Sequence, residues 1–255
     1  MFSKEPRCIY KNNQLGEVIC QLRFPEILTI GTSAPAAFQE AIREDYPGYH
    51  AMKEPPMIRP GVPASPAQAS VNHQFTSPDG VWRINLTSKF ISLACNRYSN
   101  WEEFATRLDK PLAAFIRIYQ PAWFERVGLR YLNFISRKSL GLENTPWKEL
   151  FAPCYLSLLA EEEIQETGVA RCTVDADIAL RGGCRAKLHA GPGMVRRANQ
   201  QDPELKFILD FDLYMPGKLA VNLSAGALQT LHAQAWPLFR YAITDTLHDA
   251  MEPNL

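Results

Sequence analysis

On either side of about Gln120, the side-chain pattern of this chain runs through one order of elements twice: strand, helix, three strands, long helix. Residues 15–118 carry the first pass and residues 123–251 the second. Such a chain is constrained to an α+β fold with an internally duplicated β-α-β-β-β-α unit, its sheet mostly antiparallel and its helices packed on one face. The expected halves are residues 1–120 and 121–255, intimately packed as one globular unit. Hydrophobic residues make up 46% of the 255, enough to line a sizeable core.

In the first half, Val18, Cys20, Leu22 and Phe24 alternate with Glu17, Ile19, Gln21 and Arg23, the pattern of a strand that Pro25 ends. Ser33 is a candidate helix cap, with Pro35 near the first turn and Phe38, Ala41, Ile42 and Tyr46 on one stripe. Five prolines between residues 50 and 69 predict an irregular excursion. A turn at Ser77-Pro78-Asp79-Gly80 sets Phe75 opposite Trp82, His73 opposite Ile84 and Val71 opposite Leu86. The next loop sets Leu86 against Ile91 and Ile84 against Leu93. One face is then apolar apart from His73, and the other carries Asn72, Gln74, Thr76, Arg83, Asn85 and Ser92. Trp101, Phe104, Leu108, Leu112, Phe115 and Tyr119 recur at helical spacing.

The second half opens with Val127, Leu129 and Tyr131 alternating against Arg126, Gly128 and Arg130. A short helix near 146–150 follows, then a solvated Glu161-Glu162-Glu163 connection, then strands near 170–180, 184–190 and 206–214. One long helix is predicted from about Ser224 to Met251, kinked at Pro237.

Lys plus Arg and Asp plus Glu both total 27, so the overall field indicates neither nucleic acid nor an anionic membrane as partner. The six cysteines stand apart with no C-x-x-C pair and read as buried reduced thiols. The first residues lack the apolar run of a signal peptide, and no stretch approaches the roughly 18 apolar residues of a membrane span, so the expected location is the cytoplasm.

LGEVICQLRFP from Leu15, SPDGVWRINLT from Ser77, RVGLRYLNFI from Arg126, LDFDLY from Leu209 and YAITDTLHDAM from Tyr241 together resemble a sporadically distributed prokaryotic family of about this length. The resemblance spans nearly the whole chain, implies no activity or cofactor, and points through its sporadic distribution to a mobile-element or phage-defence setting. In topology alone, the duplicated unit is similar to the half-repeats of TATA-binding protein, a likeness of fold and not of function.

Several constellations admit chemistry. Asp175 with Asp177 and Asp210 with Asp212 share strand faces, and four converging carboxylates suit a divalent cation. A loop at Arg181-Gly182-Gly183 instead sets Asp177 opposite Lys187 and Asp175 opposite His189, a charge ladder that needs no metal. His73 on an apolar face is either a core histidine with its hydrogen bonds satisfied or a general base. Asp245, His248, Asp249 and Glu252 share a helix face and read as a solvated surface. Neither G-x-x-x-x-G-K-[ST] nor G-x-G-x-x-G nor a nucleophile elbow occurs, so no cofactor and no catalytic nucleophile is expected. The stretch from Gly191 to Pro203 reads as a loop whose Arg196 and Arg197 offer contacts to a phosphate or an acidic partner.

Arg126 and Arg130 lie four apart on one strand, about 13 Å between their guanidinium groups, with Gly128 leaving room between them. Either they pair with neighbouring carboxylates or they read an anionic ligand or partner. If the halves meet edge to edge, Asn72, Gln74, Arg83, Asn85, Arg126 and Arg130 form a polar sheet face, the candidate working surface. The expected function is a non-catalytic binding or adaptor protein that uses this face and its loops to hold a partner protein or anionic ligand. An exposed edge strand would also permit a homo-oligomer. The alternative is a metal-dependent hydrolase or nuclease using Asp210, Asp212 and His73.

Overall fold

The structure, a computed structural model, describes residues 5–54, 70–197 and 200–254. Its elements in chain order are β1 (Ile9–Tyr10), β2 (Leu15–Arg23), α1 (Leu28–Thr32), α2 (Ala36–Ile42), β3 (Gly48–Glu54), β4 (Ser70–Thr76), β5 (Trp82–Leu86), β6 (Phe90–Cys95), α3 (Trp101–Tyr119), β7 (Phe124–Ile135), β8 (Val174–Ala179), β9 (Arg185–Arg197), β10 (Gln200–Leu219), α4 (Ser224–Ala242), α5 (Asp245–Ala250) and β11 (Pro253–Asn254). The fold is α+β, a large antiparallel sheet with a few helices packed on it. Two compact units divide the chain, one of Ile19–Val127 and Pro216–Ala225, the other of Met1–Val18, Gly128–Met215 and Gly226–Leu255.

In the first of these units the strand order is β3-β4-β5-β6-β2. The β5–β6 register pairs Leu86 with Ile91 and Ile84 with Leu93, as the side-chain pattern predicts. The β4–β5 register is shifted by two residues from the expected one, with Phe75 opposite Ile84 and His73 opposite Leu86. The turn causes the shift. Ser77 N–H donates to the Trp82 carbonyl at 3.0 Å, and Asp79 Oδ1 accepts from Ser77 Oγ at 2.6 Å and Val81 N at 3.1 Å, so four residues, 78–81, form the loop. A shift of two keeps every side chain on its own face, because the period of a strand is two.

The expected excursion over residues 50–69 is corrected at its start. Residues 50–54 continue β3, which pairs Ala51 with His73; residues 55–69 lie outside the described residues. Ser33 is not the cap of the first long helix either. It ends α1, and α2 starts after Pro35, with Phe38 and Ile42 buried. Asn100 caps α3, its side chain accepting from Glu103 N–H at 2.8 Å, and the helix runs through Pro111. Its apolar stripe meets the sheet through ring pairs: Phe115 with Phe24 at 4.7 Å and Phe104 with Trp82 at 5.7 Å.

In the other unit the order is β7-β10-β9-β8, beside the small β1–β11 pair. Phe207, Leu209, Phe211 and Leu213 are buried, and Phe151 stacks on Phe207 at 3.9 Å between ring centres. The connection from β7 to β8 is a series of 3-10 turns, with Glu161, Glu162 and Glu163 exposed. Arg137 clamps it, its guanidinium 3.9 Å over the Trp147 ring and bonded to Glu166 at 3.0 Å. The β9–β10 hairpin is longer than predicted and absorbs most of the expected 191–203 loop: Arg196 pairs with Gln201 and Arg197 with Gln200 in backbone register.

The single C-terminal helix is also corrected. Pro237 lies inside α4 without ending it, and the break comes at Ile243, which bridges to Phe151. There Ala152 N–H donates to the Ala242 carbonyl at 2.9 Å and Thr244 N–H to the Leu150 carbonyl at 3.0 Å. The backbone groups that would have continued the helix are taken by the turn segment, and Thr244 caps α5. All six cysteines are free thiols; Cys8, Cys20, Cys95 and Cys184 are buried, while Cys154 is exposed. The first unit carries four strands between its helices where three were expected, and the other has 3-10 turns where a helix was expected, so the element orders do not establish a duplication.

Candidate functional site

With Phe207, Leu209, Phe211 and Leu213 turned into the core, strand alternation turns Ile208, Asp210, Asp212 and Tyr214 to the opposite face of the same unit. Register then lays out rows across three strands. Asp210 stands opposite His189, which stands opposite Asp175; Asp212 opposite Lys187, which stands opposite Asp177; Tyr214 opposite Arg185, which stands opposite Ala179. In the first two rows a basic residue of β9 thus stands between a carboxylate of β10 and one of β8.

The pairs are closed by hydrogen bonds. Arg130 of β7 forks onto Asp210, Nε donating to Oδ1 at 2.8 Å and a terminal nitrogen to Oδ2. His189 Nδ1 lies 2.8 Å from Asp175 Oδ1. Asp177 accepts from Arg185 Nε at 3.0 Å and from the Tyr214 hydroxyl at 3.2 Å, so its direct partner is Arg185 and not the Lys187 that stands opposite. The hydrogen bonds that Arg130 donates to Asp210 raise its guanidinium above its usual range, and those with Asp177 and Tyr214 do the same for Arg185. Each cation is thereby held charged beside a fixed carboxylate. Asp210 is nearly buried and Lys187 is exposed, so the face has a fixed inner row and an accessible outer part.

Of the residues singled out in sequence, Arg130 and Asp210 are brought into direct contact, and Asp212 stands two residues along the same strand face. Arg196 and Arg197 fall at the end of β9. The rest belong to the other unit. There Asn85 accepts from Gln74 at 3.2 Å and donates to Ser92 at 3.3 Å, and Arg83 is its neighbour on β5, in register between Thr76 and Ala94. Arg126 is half-buried on β7. His73 is buried; its Nε2 lies 3.0 Å from the Ile30 carbonyl and its Nδ1 3.0 Å from the Tyr49 hydroxyl. A carbonyl only accepts, so Nε2 carries the proton and Nδ1 takes the tyrosine's.

Of the expected polar helix face, Asp245, His248 and Glu252 are engaged, with Glu252 lying beyond the end of α5. Asp245 bonds Arg240, His248 Nδ1 lies 2.6 Å from the Tyr10 hydroxyl, and Glu252 accepts from Lys11 at 2.7 Å and Asn12 at 2.9 Å. Arg185 and Tyr214 were missed as members of the grid; the predicted β8–β9 register already places Arg185 opposite Ala179, whereas Tyr214 joins through the β9–β10 register, which the sequence left open. Among the described residues, no group of three or more His, Cys, Asp and Glu side chains is arranged to hold a metal ion, and no helix is long and apolar enough to cross a membrane. Neither a protein-family model nor a curated protein matches this chain.

Proposed function

We propose that this chain is a non-catalytic binding or adaptor protein of the cytoplasm, and that it holds a partner protein on the β10-β9-β8 face. One observation carries the reading: the Arg130–Asp210 and Arg185–Asp177 ion pairs, with the His189–Asp175 hydrogen bond between them, hold charged groups of both signs at set positions on a partly exposed surface. A fixed pattern of mixed sign favours a protein surface of complementary pattern and rejects others by like-charge contact. A nucleic acid is a poorer match, because phosphate backbones demand uniformly basic tracks. Pre-pairing also lowers the ordering cost of association, since these side chains are already held.

The test is affinity capture from the native host at low salt, comparing the wild-type chain with Lys187→Glu, a reversal at the exposed centre of the grid. A partner protein held by the wild type in near-equal amount and lost from the variant supports the reading. Turnover of a nucleotide or nucleic acid by the purified chain, removed by Asp210→Asn, overturns it.

A further inference from the structure

Strand β8 ends the β7-β10-β9-β8 order, and among the described residues no further strand pairs with its outer edge. The register fixes which backbone groups that edge presents. Leu180 N–H donates to the Cys184 carbonyl at 2.8 Å, which makes 180 and 184 a hydrogen-bonded pair of the antiparallel ladder. Hydrogen-bonded pairs recur at every second position, so Ile178, Ala176 and Val174 direct their N–H and C=O toward β9. Asp175, Asp177 and Ala179 therefore direct theirs outward. The side chains of these same residues stand on the grid face, and Asp175 and Asp177 are 69% and 40% exposed there.

We propose that this edge accepts an extended segment of a partner protein as an added antiparallel strand, with Lys or Arg at alternate positions and an apolar residue between them. The inference rests on the binding reading above and names the partner's chemistry. Residues facing Asp175 and Asp177 across an added antiparallel pair bring their Cβ atoms to about 5.5 Å on the same face, where a basic side chain meets each carboxylate. The residue between them turns to the opposite face, beside half-buried Val174, Ala176 and Ile178, and an apolar side chain fits there. The same carboxylates act against a second copy of this chain. Symmetric pairing about Ala176 sets Asp175 opposite the second copy's Asp177, and like charges directly opposite are destabilising.

The experiment titrates the purified full chain with a blocked peptide, Thr-Lys-Val-Lys-Val-Lys-Thr, by calorimetry, beside the same peptide with Glu for Lys and one N-methylated at its lysines. The lysine peptide is expected to bind, the glutamate peptide not, and the N-methylated peptide at least tenfold more weakly, because its inward N–H donors are gone. Two protein variants divide the contribution: Asp175→Asn with Asp177→Asn removes the charges. Ala179→Pro removes one outward N–H while leaving the β9 ladder and the charges intact. Each should weaken binding at least tenfold with unchanged melting temperature; if Ala179→Pro melts early, the N-methylated peptide alone decides the backbone question. Equal binding of the N-methylated and plain peptides overturns strand addition in favour of simple charge attraction, and no binding overturns it outright. A dimer of the free protein that Ala179→Pro disperses assigns the edge to a second copy and also overturns it. Capture of a host partner that depends on Lys187, together with no peptide binding, leaves the binding reading standing and sinks the edge alone.

Discussion

Breaking the Arg130–Asp210 fork should cost more from the arginine side than from the aspartate side. The Asp210 side chain is 12% exposed and the Arg130 side chain 44%. Arg130→Ala strands a nearly buried carboxylate without its partner, and an unsatisfied buried charged group costs about 3 kcal/mol. Asp210→Ala strands a guanidinium that can turn to water, for about 1 to 2 kcal/mol. Hydrogen bonds to charged groups contribute about 1.5 to 3 kcal/mol, and half-exposure of the arginine places the coupling near the low end, at about 1 to 2 kcal/mol. The assay is urea unfolding of the wild type, both single variants and the double variant, followed by tryptophan fluorescence at neutral pH. Destabilisations that add within about 0.3 kcal/mol would show that the fork carries no coupling. The grid would then lose its best-placed member, and an Asp210→Ala loss larger than that of Arg130→Ala would refute the argument from burial.

Burial pushes the Tyr46 hydroxyl up to about 12 from 10.0, so the folded state holds that proton more tightly than the unfolded chain. Its contribution is intact below pH 10 and is lost as the pH rises toward 12, by roughly 2 to 3 kcal/mol at most, and Tyr46→Phe should flatten that part of the stability–pH curve. Gly191 has φ of 155° and a Cβ there would lie 2.4 Å from the Cys172 carbonyl oxygen, so Gly191→Ala should cost more than about 2 kcal/mol in thermal unfolding. Arg137→Lys keeps the charge but loses the planar stack on Trp147 and should destabilise by about 1 kcal/mol in the same assay. Thr244→Ala removes the α5 cap for a loss of about 1 kcal/mol, read by urea midpoint.

Period-two alternation made the central strands legible: the core faces of β2, β4 to β6 and β10 follow from it, and the β5–β6 and β8–β9 registers follow from loop length. What the alternation hid was set by polar groups acting locally. The two-residue shift of β4 on β5 comes from Asp79 widening its own turn, and the break before α5 comes from carbonyls and amides at residues 150 and 152, distant in sequence. Strand β3 was masked by the prolines that follow it and by Tyr49, Ala51 and Lys53, which are exposed although Tyr49 and Ala51 pair with buried Phe75 and His73. In the candidate site, the Asp175–His189 pair was legible from the hairpin. The Arg130–Asp210 fork was not, because it joins residues 80 apart in the chain, on strands with no short loop between them to fix their register.

The most direct test is mass spectrometry of what the gently purified chain carries from its native host, wild type against Lys187→Glu, with the 260/280 nm ratio recorded on both. The expected result is one partner protein in near-equal amount on the wild type, absent from the variant, with no nucleic acid on either. Bound nucleic acid, or a partner held equally by both proteins, would contradict a binding surface built on the β10-β9-β8 face.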